Sequence, residues 1–177
     1  MNHWIRYRFA LTQLPFMNII IRPIQQKDNP HVAKIIRSVL VDFGVPKVGT
    51  AYADTSLDCM FETYQKEKTR YLVVEEDGLV IGGGGIAPLE NYDGNVCELQ
   101  KMYFLPVARG RGLGTQMIDR CLKEAAEFGY VHCYLETMSY MEAAQKLYKQ
   151  YGFKTLDGPM GDTGHYSCGV HMLKDLN

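Results

Sequence analysis

Residues 109–115 read Arg109-Gly110-Arg111-Gly112-Leu113-Gly114-Thr115. This glycine-rich stretch follows a predicted strand over residues 95–104, and its last residues open a long helix that ends near Gly129. Glycines let a backbone come close to a ligand, and the free N–H groups at a helix N-terminus point at one spot. Because the positive end of the helix dipole lies behind those groups, the pattern predicts a pyrophosphate site, to which Arg109 and Arg111 add charge.

Other glycine-rich phosphate loops fit this stretch less well. A P-loop requires Lys followed by Ser or Thr after its last glycine, and Gly114 is followed by Thr115. The glycines at 110, 112 and 114 are one residue short of the dinucleotide-binding spacing. The plain alternatives are a loop with good turn residues and one unit of an Arg-Gly segment that binds nucleic acid. The flanking strand and amphipathic helix disfavour both.

Hydrophobic periodicity predicts the element order β-α-α-β-β-β-α-β-α-β-β. Strands are expected at residues 18–24, 70–75, 79–87, 95–104, 131–136, 153–156 and 167–173. Helices are expected at residues 28–44, from residue 54 or 55 to 64, and at residues 113–128 and 141–151. A run of four glycines inside the third strand predicts a bulge or a close approach. The alternation predicts an α/β (α+β) fold, with a central mixed sheet of about seven strands and helices on both faces.

The length and composition predict one globular domain. The chain has 177 residues, of which 46% are hydrophobic and 22% are charged, and a chain of this length corresponds to about one domain. Residues 17–23 are typical of the opening strand of a domain. We therefore expect a single domain over residues 17–177 and an N-terminal extension over residues 1–16 that is not part of its core.

Charge, cysteine usage and hydropathy exclude other classes of protein. The formal net charge of −1 provides no positive field for a polyanion, so nucleic-acid binding is disfavoured. The five cysteines are odd in number and contain no C-x-x-C pair, which indicates reduced thiols and a cytoplasmic location. No apolar run approaches the roughly 18–20 residues that cross a bilayer, so no membrane association is expected.

The phosphate loop, residues 109–115, resembles the signature Arg/Gln-x-x-Gly-x-Gly/Ala of the GNAT superfamily of acyl-CoA N-acyltransferases. The resemblance extends through residues 98–103 before the loop and residues 144–153 after it, and it covers roughly residues 19–173. It implies a GNAT-type fold with acetyl-CoA as the cosubstrate. The chain departs from the family at Met141, where members often carry an asparagine that touches the cofactor.

The resemblance also implies which residues bind acetyl-CoA. In the family, the central strand and the next one splay apart, and the pantetheine arm lies in the gap. The matching positions on the central strand are Met102, Tyr103 and Phe104. The remaining contacts fall to the phosphate loop and the final helix, at Arg109, Gly110, Arg111, Gly112, Leu113, Gly114, Thr115 and Tyr148.

Acetyl transfer to an amine requires a base, because an amine with a pKa of about 10 is protonated at neutral pH and cannot attack. The resemblance to the histone-acetylating branch of the superfamily points to Glu98, eleven residues before Arg109. Partial burial would raise the pKa of this carboxyl toward the working range. The alternative is a structural ion pair between Glu98 and Lys101 or Arg70.

Two further groups complete the chemistry that the resemblance implies, which is direct attack of the amine within a ternary complex. The backbone N–H of Met102 would donate to the oxyanion. Tyr148 would protonate the departing thiolate. The alternative for Tyr148 is a core aromatic whose hydroxyl is hydrogen-bonded within the protein.

The acceptor pocket is expected to form from the first two helices, the loop over residues 44–53 and the turn at residues 91–94. Tyr52, Glu62 and Tyr92 could line it. His165, in the loop before the last strand, either touches the acceptor or is an exposed loop histidine. The expected acceptor is a small amine, amino acid or amino-sugar-like metabolite, and a protein N-terminus or lysine is the alternative.

A purely binding role is less well supported. A non-catalytic acyl-CoA-binding or sensing module would keep the phosphate loop but would not need Glu98 or Tyr148. Both residues are present, which favours an enzyme.

The closing strand over residues 167–173 carries two expectations. His165, Cys168 and His171 have a metal-like spacing, but a spacing of three along a strand divides ligands between its faces, so no metal site is expected. An unpaired closing strand can pair with a second copy of the chain, so a homodimer is expected.

Overall fold

A seven-stranded sheet organises the chain, in the order β1-β2-β3-β4-β5-β7-β6. The computed structural model describes residues 18–176, so the predicted extension over residues 1–16 lies outside the described residues. The strands are β1 (Ile19–Pro23), β2 (Arg70–Glu76), β3 (Leu79–Pro88), β4 (Val96–Phe104), β5 (His132–Thr137), β6 (Lys154–Leu156) and β7 (Val170–Asp175). Neighbouring strands are antiparallel except β4 and β5, which are parallel.

The helices are α1 (Asn29–Asp42), α2 (Met60–Thr63), α3 (Leu113–Glu127) and α4 (Glu142–Gln150). Leu72 and Val74 of β2 lie in one hydrophobic core with α3, and Tyr71 and Val73 lie in another with α1 and α2. Because successive strand residues point to opposite faces, helices cover both faces of the mixed sheet, as predicted. None of the helices within residues 18–176 combines the length and apolarity needed to cross a membrane.

The second helix is shorter than predicted. The chain forms 3-10 turns over Ala51–Ala53 and Thr55–Cys59 before the single α-helical turn of α2. The N–H of Phe61 donates to the side-chain oxygen of Asn29 at 2.7 Å. Since α1 already satisfies this donor, the segment packs as a series of turns rather than as a longer helix.

The last strand begins later than predicted, because Ser167 belongs to the preceding loop. The N–H of Ser167 donates to the carbonyl oxygen of Gly49 at 3.0 Å. Its hydroxyl donates to the carbonyl oxygen of Val48 at 3.1 Å. β7 also lies between β5 and β6, so both of its edges are paired. The expectation that residues 167–173 pair with a second subunit is therefore wrong; the edges of the described sheet are β1 and β6.

The parallel pair of strands creates an opening in the sheet. β4 and β5 pair only at Val96 with His132, Cys97 with Cys133, and Glu98 with Tyr134. Both strands continue beyond that point, β4 to Phe104 and β5 to Thr137. They therefore separate after Glu98.

A bulge in β4 lies next to this opening. Lys101 has a φ of 51°, and Gly84 of β3 lies opposite both Lys101 and Met102. A side chain at Gly84 would lie 3.2 Å from Cγ of Met102, so the glycine leaves room for the methionine. The glycine run of β3 was expected to mark a bulge or a close approach, and the extra residue here lies instead in β4, opposite the run. The bulge changes the direction of the backbone beside the opening.

Candidate active site

A cavity of about 540 Å³ occupies the opening between β4 and β5. Its walls come from the separated ends of these strands, the C-terminal turn of α1, the phosphate loop with the start of α3, the N-terminal part of α4, and the loop before β7. Apolar groups from α1 and polar groups from β4 and β5 therefore border one space.

The phosphate loop fits an anionic ligand. Gly110 and Gly112 have φ angles of 71° and 74°, a conformation that side chains disfavour. Gly112 is the N-cap of α3, and no side chain caps this helix. The first N–H groups of α3 are therefore left for a ligand. Gly114 lets α4 approach, since a Cβ there would lie 3.3 Å from Cδ2 of Leu147.

The two arginines of the loop differ in their contacts. Arg109 lines the cavity; its Nε donates to the carbonyl oxygen of Phe104 at 3.1 Å, and its guanidinium lies 4.9 Å from the ring centroid of Phe43. Arg111 does not line the cavity, because it pairs with Glu76 at 2.5 Å. The structure therefore does not bring Arg111 to the predicted pyrophosphate site.

Met102, Tyr103 and Phe104 all line the cavity. They lie on the part of β4 that has separated from β5. These are the residues that the resemblance assigned to the pantetheine arm.

Glu98 lies at the vertex of the opening, in the last pair that joins β4 to β5. The residue is 4% exposed, and its carboxylate accepts a hydrogen bond of 2.6 Å from Nε2 of Gln100. Burial raises the pKa of Glu98 above its ordinary value, and the hydrogen bond from Gln100 opposes this effect only in part. The direction is the one that a base working near neutral pH needs.

The ion pairs that were the alternative role for Glu98 do not form. Nζ of Lys101 pairs with Asp54 at 2.8 Å, and Nε of Arg70 pairs with Glu124 at 3.0 Å. Since both cations are engaged elsewhere, this alternative is wrong.

Tyr148 reaches the same cavity from α4. Its ring packs edge-on against Phe153, with centroids 5.9 Å apart, and burial raises the pKa of its hydroxyl to about 12. Within residues 18–176 the hydroxyl has no hydrogen-bond partner, and it is not sealed from the cavity. The structure therefore does not support the alternative, a core tyrosine whose hydroxyl is hydrogen-bonded within the protein.

An ionic cluster lies at the end of the cavity near β7. Nε2 of His165 lies 3.2 Å from both carboxylate oxygens of Asp54, and Lys101 binds the same carboxylate. Burial lowers the pKa of His165, but the hydrogen bond and the charge of Asp54 outweigh it, so the pKa is raised. The His165 side chain is only 14% exposed, so the alternative of an exposed loop histidine is wrong.

Glu136 is a second carboxylate in the cavity, on the separated end of β5. Its oxygens accept hydrogen bonds from the hydroxyls of Tyr134 at 2.8 Å and Thr163 at 3.0 Å. It lies two residues beyond Tyr134, the strand partner of Glu98, and therefore on the same face of the sheet. Its charge contributes to the raised pKa of Glu98.

Three residues predicted for the acceptor pocket do not line the cavity: Tyr52, Glu62 and Tyr92. Tyr52 lies under Lys47, whose Nζ is 5.2 Å from the ring centroid. Glu62 accepts a hydrogen bond of 2.7 Å from Asn29, because the short second helix packs against the start of α1. Tyr92 is on the surface. The lining from this side comes instead from the end of α1 and the loop that follows it.

The strand argument against a metal site has to be corrected. His165 and Cys168 lie in the loop before β7, where side chains do not alternate as they do in a strand. Among the residues that the structure describes, no group of three or more His, Cys, Asp or Glu side chains is placed to hold a metal ion.

Sequence reasoning missed several polar residues in and beside the cavity. Gln100 was expected only as a polar residue in a central strand, and Lys101 only as such a residue or as an ion-pair partner of Glu98. Asp54 was expected only at the start of the second helix, and Glu136 only at the end of a strand. One sequence signal could have identified the residues on β4 and β5. A charged or amide side chain within an otherwise buried strand requires a partner or a ligand.

Comparison with known proteins gives one family. The sequence model of the "Acetyltransferase (GNAT) family" matches residues 36–153. An uncharacterized N-acetyltransferase of Escherichia coli, YjgM, is 42% identical over 158 residues, which are 89% of this chain and 95% of that protein.

Solved structures share the fold. A GNAT-family acetyltransferase from Staphylococcus aureus has a TM-score of 0.80 and 18% identity, and the match covers 90% of this chain and 100% of that one. An acetyltransferase from Salmonella typhimurium, solved with its cofactor acetyl-CoA, has a TM-score of 0.72 and 24% identity, covering 90% and 95%.

The fold and the site thus define an acyltransferase. The chain belongs to the GNAT acetyltransferase family, and acetyl-CoA is its cosubstrate. The predicted fold class, enzyme class and cosubstrate are confirmed.

Proposed function

We propose that the protein transfers the acetyl group of acetyl-CoA to a primary amine of a small metabolite or peptide, by direct attack within a ternary complex. One observation carries the proposal: a buried carboxylate, Glu98, shares one cavity with the hydroxyl of Tyr148, which has no hydrogen-bond partner within residues 18–176. In this proposal Glu98 is the general base, Tyr148 is the general acid, and the N–H of Met102 binds the oxyanion.

The first step is deprotonation of the acceptor. A primary ammonium has a pKa of about 10, so its proton must pass to a base before the nitrogen can attack. Burial raises the pKa of Glu98, which lets the carboxylate take the proton directly or through one water molecule. The nitrogen then forms a bond to the thioester carbonyl carbon.

The second step is stabilisation of the charge that develops on the carbonyl oxygen. Met102 follows Lys101, whose left-handed conformation marks the bulge in β4. Since a bulge redirects backbone groups, the N–H of Met102 is the proposed donor to this oxygen.

The third step is departure of the thiolate as the C–S bond breaks. The nitrogen, which becomes positively charged on attack, loses its second proton to solvent. The hydroxyl of Tyr148 gives its proton to the sulfur, and the tyrosine is restored from solvent. Burial raises the pKa of Tyr148 to about 12, but the same burial disfavours a thiolate anion in the cavity, so the transfer is feasible.

The residues proposed to hold acetyl-CoA follow the cavity wall. The first N–H groups of α3 and the guanidinium of Arg109 bind the pyrophosphate, and the backbone of residues 102–104 lies along the pantetheine arm. Arg111 acts on the loop itself, through its ion pair with Glu76. His165 is proposed to contact the acceptor, since it lines the end of the cavity near β7.

A thiol-release assay with acetyl-CoA tests this function against a panel of small amines, amino acids and peptides, with the products identified by mass spectrometry. We expect an acetylated amine for one class of acceptor. Binding of acetyl-CoA without release for any acceptor would contradict the proposal and would favour a binding or sensing module. A product on protein lysines alone would restrict the acceptor to proteins.

We also propose a cytoplasmic location and a homodimer. The five cysteines are free thiols, which supports a reducing compartment.

A strand-to-strand contact in the homodimer would use β1 or β6, the edges of the described sheet. Light scattering at micromolar concentration tests the assembly, and a monomeric mass would contradict it.

A further inference from the structure

The cavity has an unbalanced charge at the end near β7. Both cations of this region, Lys101 and His165, pair with the carboxylate of Asp54. Neither is paired with Glu98 or Glu136. Within residues 18–176, Glu136 therefore has no cationic partner although it lines the cavity.

Two hydroxyl groups donate hydrogen bonds to the carboxylate of Glu136. The hydroxyl of Tyr134 accepts the N–H of Met160 at 3.2 Å, so its own proton is directed at Glu136. The hydroxyl of Thr163 accepts the N–H of His165 at 3.2 Å and likewise gives its proton to Glu136. Both donors are neutral, so they bring no positive charge to the carboxylate.

The reacting nitrogen is a poor partner for this carboxylate. That nitrogen must be neutral when it attacks, and a nearby anion would favour its protonated form. Once acetyl-CoA and the acceptor displace water from the cavity, an anion without a cation is also costly. A cation that keeps its charge throughout the reaction resolves both problems.

We infer that the acceptor carries a second cationic group and that Glu136 binds it, which makes short-chain diamines the substrate class. The inference rests on the proposed function, with Glu98 as the base. Glu136 lies two residues beyond the strand partner of Glu98, where β5 has separated from β4, so regular strand spacing and rise give a lower bound of roughly 8 Å between the two Cα atoms. A chain of three to five carbons suits such an interval.

The balance of the reaction follows from this arrangement. One ammonium loses two protons as it becomes the amide: the first passes to Glu98 before the attack, and the second leaves the tetrahedral intermediate to solvent. The other amine stays an ammonium on Glu136, and the thiol leaves with the proton of Tyr148, which solvent restores. The product is a monoacetylated monocation.

The test compares acceptors of equal length. Initial rates are measured for diaminopropane, diaminobutane and diaminopentane, for the matching monoamines, and for the matching amino acids that carry a carboxylate in place of the second amine. The enzymes are wild type, Glu136→Gln and Glu127→Gln. Glu127 is an exposed carboxylate on α3 that pairs with Lys123 outside the cavity, so its substitution is the matched control.

We expect kcat/KM in wild type to be at least about tenfold higher for the best diamine than for its monoamine, and lowest for the amino acid. The ratio of kcat/KM for the diamine to kcat/KM for the monoamine should fall to near one in Glu136→Gln and should persist in Glu127→Gln. Glutamine keeps the size of the side chain, and the hydroxyls of Tyr134 and Thr163 can accept from its amide.

Three results would overturn the inference. A wild-type ratio near one would do so even if Glu136→Gln did not fold, and so would a preference for the amino acids. Persistence of the ratio in a folded Glu136→Gln protein would also contradict it. Each of these leaves the proposed acetylation of amines intact. Failure of every amine, diamines included, to release thiol would instead contradict the proposed function, and the inference with it.

Discussion

The side-chain amide of Gln100 donates a hydrogen bond of 2.6 Å to the carboxylate of Glu98. The oxygen of the same amide accepts the hydroxyl of Tyr64 at 2.7 Å. Tyr64 is buried, so it fixes which end of the amide faces Glu98. The donor from Gln100 lowers the pKa of Glu98 against the larger effect of burial, and so favours the ionised form that can accept a proton.

Removal of this donor should move the pH profile. Gln100→Leu removes the hydrogen bond that opposes the effect of burial on Glu98, so the acidic limb of kcat/KM is expected to shift to higher pH, with about a tenfold loss near pH 6. Activity on the alkaline plateau should be largely retained. Gln65→Leu, at an exposed amide outside the cavity, is the control. An unmoved limb in Gln100→Leu would show that Gln100 does not tune the base.

Tyr148→Phe should lower kcat by about 100-fold with little change in the KM for acetyl-CoA, because the ring stays in place and only the proton donor is lost. Tyr151→Phe is the matched control on the end of α4, since its hydroxyl bonds to Asp119 and lies outside the cavity. Steady-state kinetics with thiol detection decide the matter. Equal turnover in the two variants would reject the acid role.

Substitution of the two arginines of the phosphate loop should have different effects on the affinity for acetyl-CoA. Arg109→Gln removes a guanidinium from the cavity wall and is expected to weaken acetyl-CoA binding by about tenfold. Arg111→Gln breaks the ion pair with Glu76 but removes no group from the cavity, so a change of less than about threefold is expected. Calorimetric titration measures both. A larger loss in Arg111→Gln would reverse the assignment.

The Asp54–His165 pair should stabilise the fold in a pH-dependent way. Because the pKa of His165 is raised from 6.5, its contribution is complete below that value and is lost as the pH rises through the raised pKa. The unfolding free energy lost in His165→Gln should therefore be larger at pH 5.5 than at pH 9, by on the order of 1 kcal/mol. Urea titrations at the two pH values measure this.

His132→Gln is the control for the histidine experiment. Its pair with Asp175 is largely exposed, so a small change is expected at both pH values. The same loss for His165→Gln at pH 5.5 and pH 9 would contradict a charged pair with Asp54.

The phosphate loop could be predicted from the sequence because its properties are local. Gly112 before Leu113 determines where α3 begins, and the residues proposed to bind the pyrophosphate are contiguous in the sequence. Glu98 and Tyr148 were assigned by resemblance. The structure adds the burial of Glu98 and a Tyr148 hydroxyl that has no hydrogen-bond partner in the described part of the chain.

The charged cluster and the acceptor end could not be predicted, because their residues meet only in the folded chain. Asp54 and His165 are 111 positions apart. Glu62 was assigned to the pocket on the expectation of a longer second helix, and the bond between Asn29 and Phe61 turns that segment toward α1 instead. No local pattern reports such a contact.

The most direct test of the account is the pH dependence of kcat/KM for wild type and Glu98→Gln with the best amine acceptor. In wild type we expect a limb that rises as Glu98 loses its proton, at a pH above the ordinary range of a carboxyl. In Glu98→Gln we expect that limb to vanish and the rate to be lower by about 100-fold or more near pH 7, with recovery toward pH 10 as the free amine accumulates. A wild-type profile in Glu98→Gln would contradict the role of Glu98 as the base.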